Sequence, residues 1–205
     1  HSVQYEFYLT EMRSDNTRTK SQEGEAAQFE FYNVTATNGI VENYYASMYN
    51  TIFRTNIVLE NLGVVNDADK AASFEAEAKF NRALAYFSLV RLYGDVPLID
   101  KVISPLDVEV QYTRVAAATI YDLIVSDLTT AVSGLDNTYK TRASKAAAQA
   151  LLDKVHLTLG NYSEAQLLCE NIIGSGFDLM DDFNDVFYTE RNKEIIFAIG
   201  YESAL

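Results

Sequence analysis

EAKFNRALAYFSLVRLYGDVPLI, residues 77–99, is the stretch that decides the fold. Apolar residues recur three or four apart: Ala76, Phe80, Ala83, Phe87 and Val90 make one stripe, and Leu84 widens it. That period belongs to a helix with one face turned to a core. The helix is predicted from about Asp69 to Tyr93, and its end is abrupt. Gly94 suits the left-handed conformation that closes a helix. Val96 stands before Pro97, so its backbone is pushed to extended geometry. Arg91 lies in the last turn, where a cation meets the negative end of the helix dipole, four residues before Asp95. The corner therefore redirects the chain into an extended segment over residues 96–103. Glu75 and Lys79 are four apart and support the outer face. The aromatics read as core and the helix as scaffold.

Working outward, Tyr45, Met48, Ile52, Asn56, Leu59 and Leu62 place a second helix over Glu42–Leu62. The polar link 63–70 is short, so the two helices pair antiparallel. Ile120, Leu123, Ile124, Leu128, Ala131 and Leu135 mark another helix, and ASKAAAQALLDKVHLTL, residues 143–159, its partner. Small residues fill the first half of that partner and permit close approach; Gly160 ends it. Ser163 with Gln166 reads as a capping box for a further helix carrying Ala165, Leu168, Cys169 and Ile172. Residues 1–13 fit a short helix, and 14–42 a long polar loop region with room for a short strand. EIIFAIGYE, residues 194–202, is a short β-like run.

The fold class is all-α: a tetratricopeptide-like solenoid of helix pairs, about 43–93 and 114–159, with a repeat helix at 163–173, a long N-terminal loop region and minor short strands. Residues 1–205 make one domain. In QALLDKVHLTLGNYSEAQLLCENII, residues 149–173, the repeat slots hold Leu152, His156, Ala165, Cys169 and Ile172. Asp153 stands where Gly or Ala is usual, which implies a looser or solvated contact.

Composition narrows the function classes. With 205 residues the chain can bury a sizeable core, and two prolines and nine glycines are few breakers for a turn-dense β architecture. The formal net charge of −13, without a basic stripe, argues against nucleic acid and against an anionic membrane surface. No apolar run reaches membrane-spanning length. The first residue is His1 and no signal peptide is visible, which suggests a mature or trimmed chain. Metal ligation lacks material: the histidines are His1 and His156, and Cys169 is the single cysteine. The acidic run 178–190 lacks the glycine and spacing of a calcium loop. Phosphate-binding loops, dinucleotide fingerprints and nucleophile elbows are absent, so neither cofactor nor catalytic residue is assigned and the protein is read as a binder, not an enzyme.

Five ordered segments resemble the SusD/RagB family of outer-membrane nutrient-binding lipoproteins. They are EMRSDNTRT (11–19), YNTIFRTNIVLENL (49–62) with its Asn56, the opening segment 77–99, the Ala-rich helix with its following turn (143–165), and NKEIIFAIGYE (192–202). The resemblance covers the family's N-terminal part; family chains are longer and begin at a lipidated cysteine. It implies a protein held at the cell surface, on the outer membrane, by a lipid anchor outside this sequence. It also implies a SusC-like TonB-dependent transporter as partner and a glycan as ligand. Capture of peptides by the same architecture is the alternative within the family; a tetratricopeptide-type protein scaffold is the alternative outside it.

Sugars are held by aromatic faces against their C–H surfaces and by polar side chains on their hydroxyls. Aromatics stranded in a polar loop are therefore the candidates to weigh. Phe29, Phe31, Tyr32 and Asn33 qualify, with Asp15, Asn16 and Arg18 from the same region. Tyr44 is added because Tyr44 and Tyr45 are adjacent and cannot both face inward. The competing reading packs this loop back on the first helix pair, with Asp15 and Asn16 making turn hydrogen bonds.

Overall fold

The computed structural model describes residues 2–21, 23–104 and 112–200. Along them run α1 (Ser2–Thr10), α2 (Ala27–Glu30), α3 (Gly39–Glu60) and α4 (Ala68–Tyr93). The strands β1 (Val96–Pro97) and β2 (Arg114–Val115) follow, then α5 (Ala117–Gly134), α6 (Lys145–Leu159), α7 (Tyr162–Ile173) and α8 (Phe183–Tyr188). Each long helix packs on the next, α3 on α4, α4 on α5, α5 on α6 and α6 on α7, which is the helix-pair solenoid expected. The strands pair antiparallel, Val96 with Val115 and Pro97 with Arg114.

The opening helix behaves as its stripe predicts. Asp67 caps it, accepting the Lys70 N–H at 3.1 Å, and Gly94 ends it at φ 72°. Ala76, Phe80, Ala83, Phe87 and Val90 are all buried, with Phe80 only 2% exposed. Glu75 pairs with Lys79 at 2.7 Å on the flank. The main core gathers these with Ile52, Ile120, Ile124, Leu128, Leu152 and Val155. The α4–α5 seam is tight: a Cβ on Gly134 would stand 2.8 Å from the Cβ of Ala76. A smaller cluster of Leu9, Met12, Phe29, Ile40 and Tyr44 fastens α1 and α2 to α3.

Inside the main core sits a charged node. Arg82 donates from Nε to Asp127 Oδ2 at 2.7 Å and from Nη2 to Asp127 Oδ1 at 2.8 Å. Its Nη1 reaches Asn56 Oδ1 at 2.9 Å and the Asp100 carbonyl at 3.2 Å. Burial alone would lower the Arg82 pKa, but the bonds and charge of Asp127 raise it, so the guanidinium stays charged. One arginine thus joins α3, α4, α5 and the segment beyond β1.

That segment is strapped by side chains, because only its first residues find a strand partner. Asn56 Nδ2 donates to the carbonyls of Ile99 and Lys101, each at 3.1 Å. The Tyr49 hydroxyl donates to the Pro97 carbonyl at 2.7 Å. Tyr86 Oη accepts the Ile99 N–H at 2.7 Å and lies 3.0 Å from the Ile99 carbonyl. Glu60 accepts the Val102 N–H at 2.6 Å. Backbone groups that a sheet would satisfy are satisfied here by helix side chains.

Several expectations need correction. The region 14–42 holds α2, and α3 begins inside it at Gly39, because the Asn38 side chain caps Ile40 and Val41 at 3.0 and 3.2 Å. No strand forms there among the described residues. The capping box at Ser163 is absent: α7 starts at Tyr162, its N-cap Asn161 makes no side-chain cap bond, and Gln166 bonds forward to Glu170 at 2.7 Å. Cys169 is exposed rather than filling an apolar slot, and partial burial of its thiol, with the Asp153 carboxylate of α6 beside it, pushes its pKa up. Residues 194–200 form no strand: Phe197 packs on Phe80, and Ala198 makes a single backbone bond to Lys140, at 2.9 Å. Residues 201–202 of that run lie outside the described residues.

Two outcomes follow from the node and its straps. Asp127→Leu strands the Arg82 charge and lowers the unfolding free energy in urea by about 3–5 kcal/mol, and adding Arg82→Met restores most of the loss. Burial pushes the Tyr86 and Tyr93 phenols up to about 12 and Tyr49 higher still. These phenols stay neutral in the fold, so their contribution is complete below the ordinary phenol value of about 10 and is lost as pH climbs from there through 12. Absorbance titration should show exposed tyrosines ionising first and these three only at the upper end, together with loss of helix.

Candidate functional site

A cleft of about 390 Å³ opens between α1, the turn after it, the end of α4 and the loop after α2. Leu9 and Leu92 contribute apolar surface, and Glu6, Arg13, Ser88 and Arg91 bring polar atoms to it. A second depression of about 330 Å³ adjoins it and shares Leu9, Arg13, Tyr32 and Leu92. Tyr32 therefore borders both.

Tyr32 stands where a glycine is expected. Its φ is 53°, in the left-handed region. Asn33 N–H bonds Gln28 O at 3.0 Å and Tyr32 N–H bonds Phe29 O at 3.3 Å, which closes α2 by the Schellman pattern with Tyr32 in the left-handed position. At the end of α6 the same pattern uses Gly160, at φ 79°. A non-glycine residue in that conformation costs about 1–2 kcal/mol. The ring that results is 69% exposed, and its hydroxyl donates to the Arg13 carbonyl. An aromatic face is thus projected at a position where glycine would close the turn more easily.

The loop that carries Tyr32 is fixed by polar side chains. Asn38 Nδ2 donates to Gln28 Oε1 at 2.9 Å and to the Glu25 carbonyl at 3.1 Å. Glu25 accepts the Gly39 N–H at 2.6 Å. Glu30 accepts from the Thr19 hydroxyl at 2.7 Å and the Thr19 N–H at 2.8 Å, and these bonds, with the Arg18 charge, hold its carboxyl below the usual range.

Beneath Tyr32, Tyr44 is 1% exposed, and its buried hydroxyl has no hydrogen-bond partner. Burial pushes the phenol up. Ser88 lies near enough to pull it down a little without completing a hydrogen bond, while the charges of Glu6 and Arg91 act in opposite senses. An unsatisfied buried hydroxyl is a costly feature in a folded protein, and Ser88 is the polar group nearest to relieve it. On the far wall the Arg91 guanidinium stacks over Phe87, 5.0 Å from the ring centroid.

Of the candidates read from sequence, Tyr32 and Tyr44 meet in the cleft. Phe29, 2% exposed, borders the second depression but is committed to the smaller core, because α2 turns it against α3. Phe31 and Asn33 are exposed and line neither depression. Asp15, Asn16 and Arg18 are exposed and outside both. The turn there is held by Ser14 and Thr17, whose hydroxyls donate to the Glu11 carbonyl at 2.7 and 2.6 Å, rather than by Asp15 or Asn16 side chains. Glu6, Arg13, Ser88 and Arg91 escaped the sequence reading. Ser88 and Arg91 are three apart at the end of an apolar helix, a polar break that marks a second face. A larger depression of about 450 Å³, between α3 and α4, is lined mostly by apolar atoms such as those of Val58, Phe74 and Ala78. It offers little to a hydroxyl-rich ligand.

A family model described as SusD-like, starch-binding and associating with the outer membrane, matches residues 2–157. The chain is similar to SusD-like protein P2 of Formosa agariphila, with 34% identity over 174 residues, 80% of this chain and 34% of that protein. It superposes on a SusD-like protein of Bacteroides fragilis with TM-score 0.85 at 29% identity, covering 96% of this chain and 41% of that one. A laminarin-binding SusD-like protein matches with TM-score 0.84 at 26% identity, over 96% of this chain and 48% of that one. The chain spans about a third of the length of the first curated relatives it matches.

Tyr44→Phe removes this unsatisfied buried hydroxyl, and the unfolding free energy in urea rises by about 1 kcal/mol.

Proposed function

The chain belongs to the SusD-like family, and we propose that its protein captures a glycan at the outer membrane for uptake. The observation that carries this reading is Tyr32, an exposed ring kept on left-handed backbone above the unsatisfied Tyr44 hydroxyl. The ring offers a face to sugar C–H groups. Ser88 and Glu6 offer polar atoms to sugar hydroxyls. The laminarin-binding relative supports an oligosaccharide as the ligand class. No bond is broken in this scheme: the protein binds and hands over.

The captured sugar passes to a SusC-like TonB-dependent transporter, and the stacked helix pairs present an extended surface for that contact. A lipid anchor outside this sequence holds the protein on the cell surface. Among the described residues, no helix is long and apolar enough to cross a membrane.

Tyr32→Gly tests the site without threatening the turn, since glycine suits the left-handed position. Affinity electrophoresis against a panel of polysaccharides should show the parent chain retarded by at least one of them. The variant should migrate freely while its unfolding midpoint stays close to the parent's. Equal retardation of both would remove Tyr32 from the site. Binding of a peptide mixture, with no retardation by any glycan, would replace the sugar with a peptide.

A further inference from the structure

A neutral sugar gives Glu6 hydroxyls to accept but makes no use of the positive charge in this cleft. Arg13 follows α1 and Arg91 closes α4, and both face the same 390 Å³ space. Among the described residues neither forms an ion pair with a carboxylate, nor do Arg18, Arg54, Arg114 and Arg191, whereas Arg82 and Arg142 do. Acidic residues outnumber basic ones 29 to 16 over the chain, and against that balance this cleft brings two arginines and one carboxylate, Glu6, to one space. Arg91 is steadied by the Phe87 ring beneath it, and Arg13 is tied through its carbonyl to the Tyr32 hydroxyl. Both are exposed, and the cleft they share with Tyr32 is what relates them to the aromatic face.

Resting on the reading of this cleft as a glycan site, we propose that it takes an anionic saccharide, one carrying a uronate carboxylate or a sulfate ester. A guanidinium presents a planar fork of N–H donors that matches either group, and it stays charged throughout the physiological range. Glu6, an acceptor only when ionised, takes sugar hydroxyls and repels a misplaced acid group. The ligand ring thus lies against Tyr32 with its acid group toward the two arginines and its free hydroxyls toward Glu6.

The test is calorimetric titration of the chain with matched oligosaccharides: oligogalacturonate, a sulfated galactan fragment, and neutral laminari- and malto-oligosaccharides. At low salt at least one anionic ligand binds roughly tenfold tighter than either neutral one, the scale of one charge-assisted contact. Added salt shrinks that preference. The double variant Arg13→Gln, Arg91→Gln abolishes it, and Tyr32→Gly weakens all binding. Whether the uronate or the sulfate arm wins identifies the acid group. Neutral ligands binding as tightly as anionic ones, with Tyr32 still required, overturns the charge assignment and leaves the glycan site standing. No binding in any arm overturns both.

Discussion

Arg82 carries a full charge where water does not reach, its side chain 7% exposed against an Asp127 that is 2% exposed. Taking two such charges from water is expensive, and their attraction repays the cost only when geometry and further hydrogen bonds are good. Here they are: Nε, Nη1 and Nη2 all reach oxygen, and the third partner, Asn56, spends its own N–H groups on the crossing segment. The consequence is register. A purely apolar seam between α3, α4 and α5 tolerates small slides, but this node admits one alignment. The strapped segment inherits that alignment, β1 meets β2 through it, and Asp95 then caps Ala117 at the head of α5, at 2.9 Å.

The same helix that holds the node also builds one wall of the cleft. Ser88 and Arg91 lie six and nine residues beyond Arg82, about 9–14 Å along the axis at 1.5 Å per residue. That wall is as firm as the core. The other side is α1 with the loop after α2, and that loop is firm for a different reason: Asn38, Gln28, Glu25 and Glu30 satisfy its backbone from within. Loops supported on rigid scaffolds are where binding residues usually sit. This loop presents Tyr32 against a fixed surface.

Period alone made the long helices legible, because Phe80, Phe87, Ile124 and Leu128 recur at helical spacing and are buried accordingly. The resemblance to the SusD/RagB segments was legible too, since it rests on ordered local motifs. The node was half visible: Asp127 falls in step with Ile124 and Ala131 on the buried stripe of α5, a charge where an apolar residue is expected. Nothing local says that its partner is Arg82, 45 residues earlier, because pairing across helices is a property of the packed state. The cleft was less visible still. Its candidates were drawn from one loop and the adjoining Tyr44, whereas Glu6, Arg13, Ser88 and Arg91 come from α1, the turn after it and α4. Tyr32 was singled out by composition, but its backbone conformation was not, since Gly160 shows what the sequence would ordinarily place there.

Two non-glycine residues adopt positive φ among the described residues, and comparing them sharpens the case for Tyr32. Arg191, at φ 55°, precedes Asn192. The Asn192 side chain bonds the carbonyls of Asp185, Val186 and Thr189 and receives the N–H groups of Glu194 and Ile195. The left-handed turn at Arg191 is therefore explained by the hub it delivers, and the benefit is structural. At Tyr32 the closing bonds of α2 are main-chain bonds that a glycine would make equally well. The tyrosine adds its hydroxyl bond to Arg13 and an exposed ring, and the ring serves no core. Strain at one residue and an unsatisfied hydroxyl at Tyr44 then fall at one cleft, while the Arg82–Asp127 pair in the core nearby is fully bonded. Local rules broken together in one place, with compensation elsewhere, are what a binding site costs a fold.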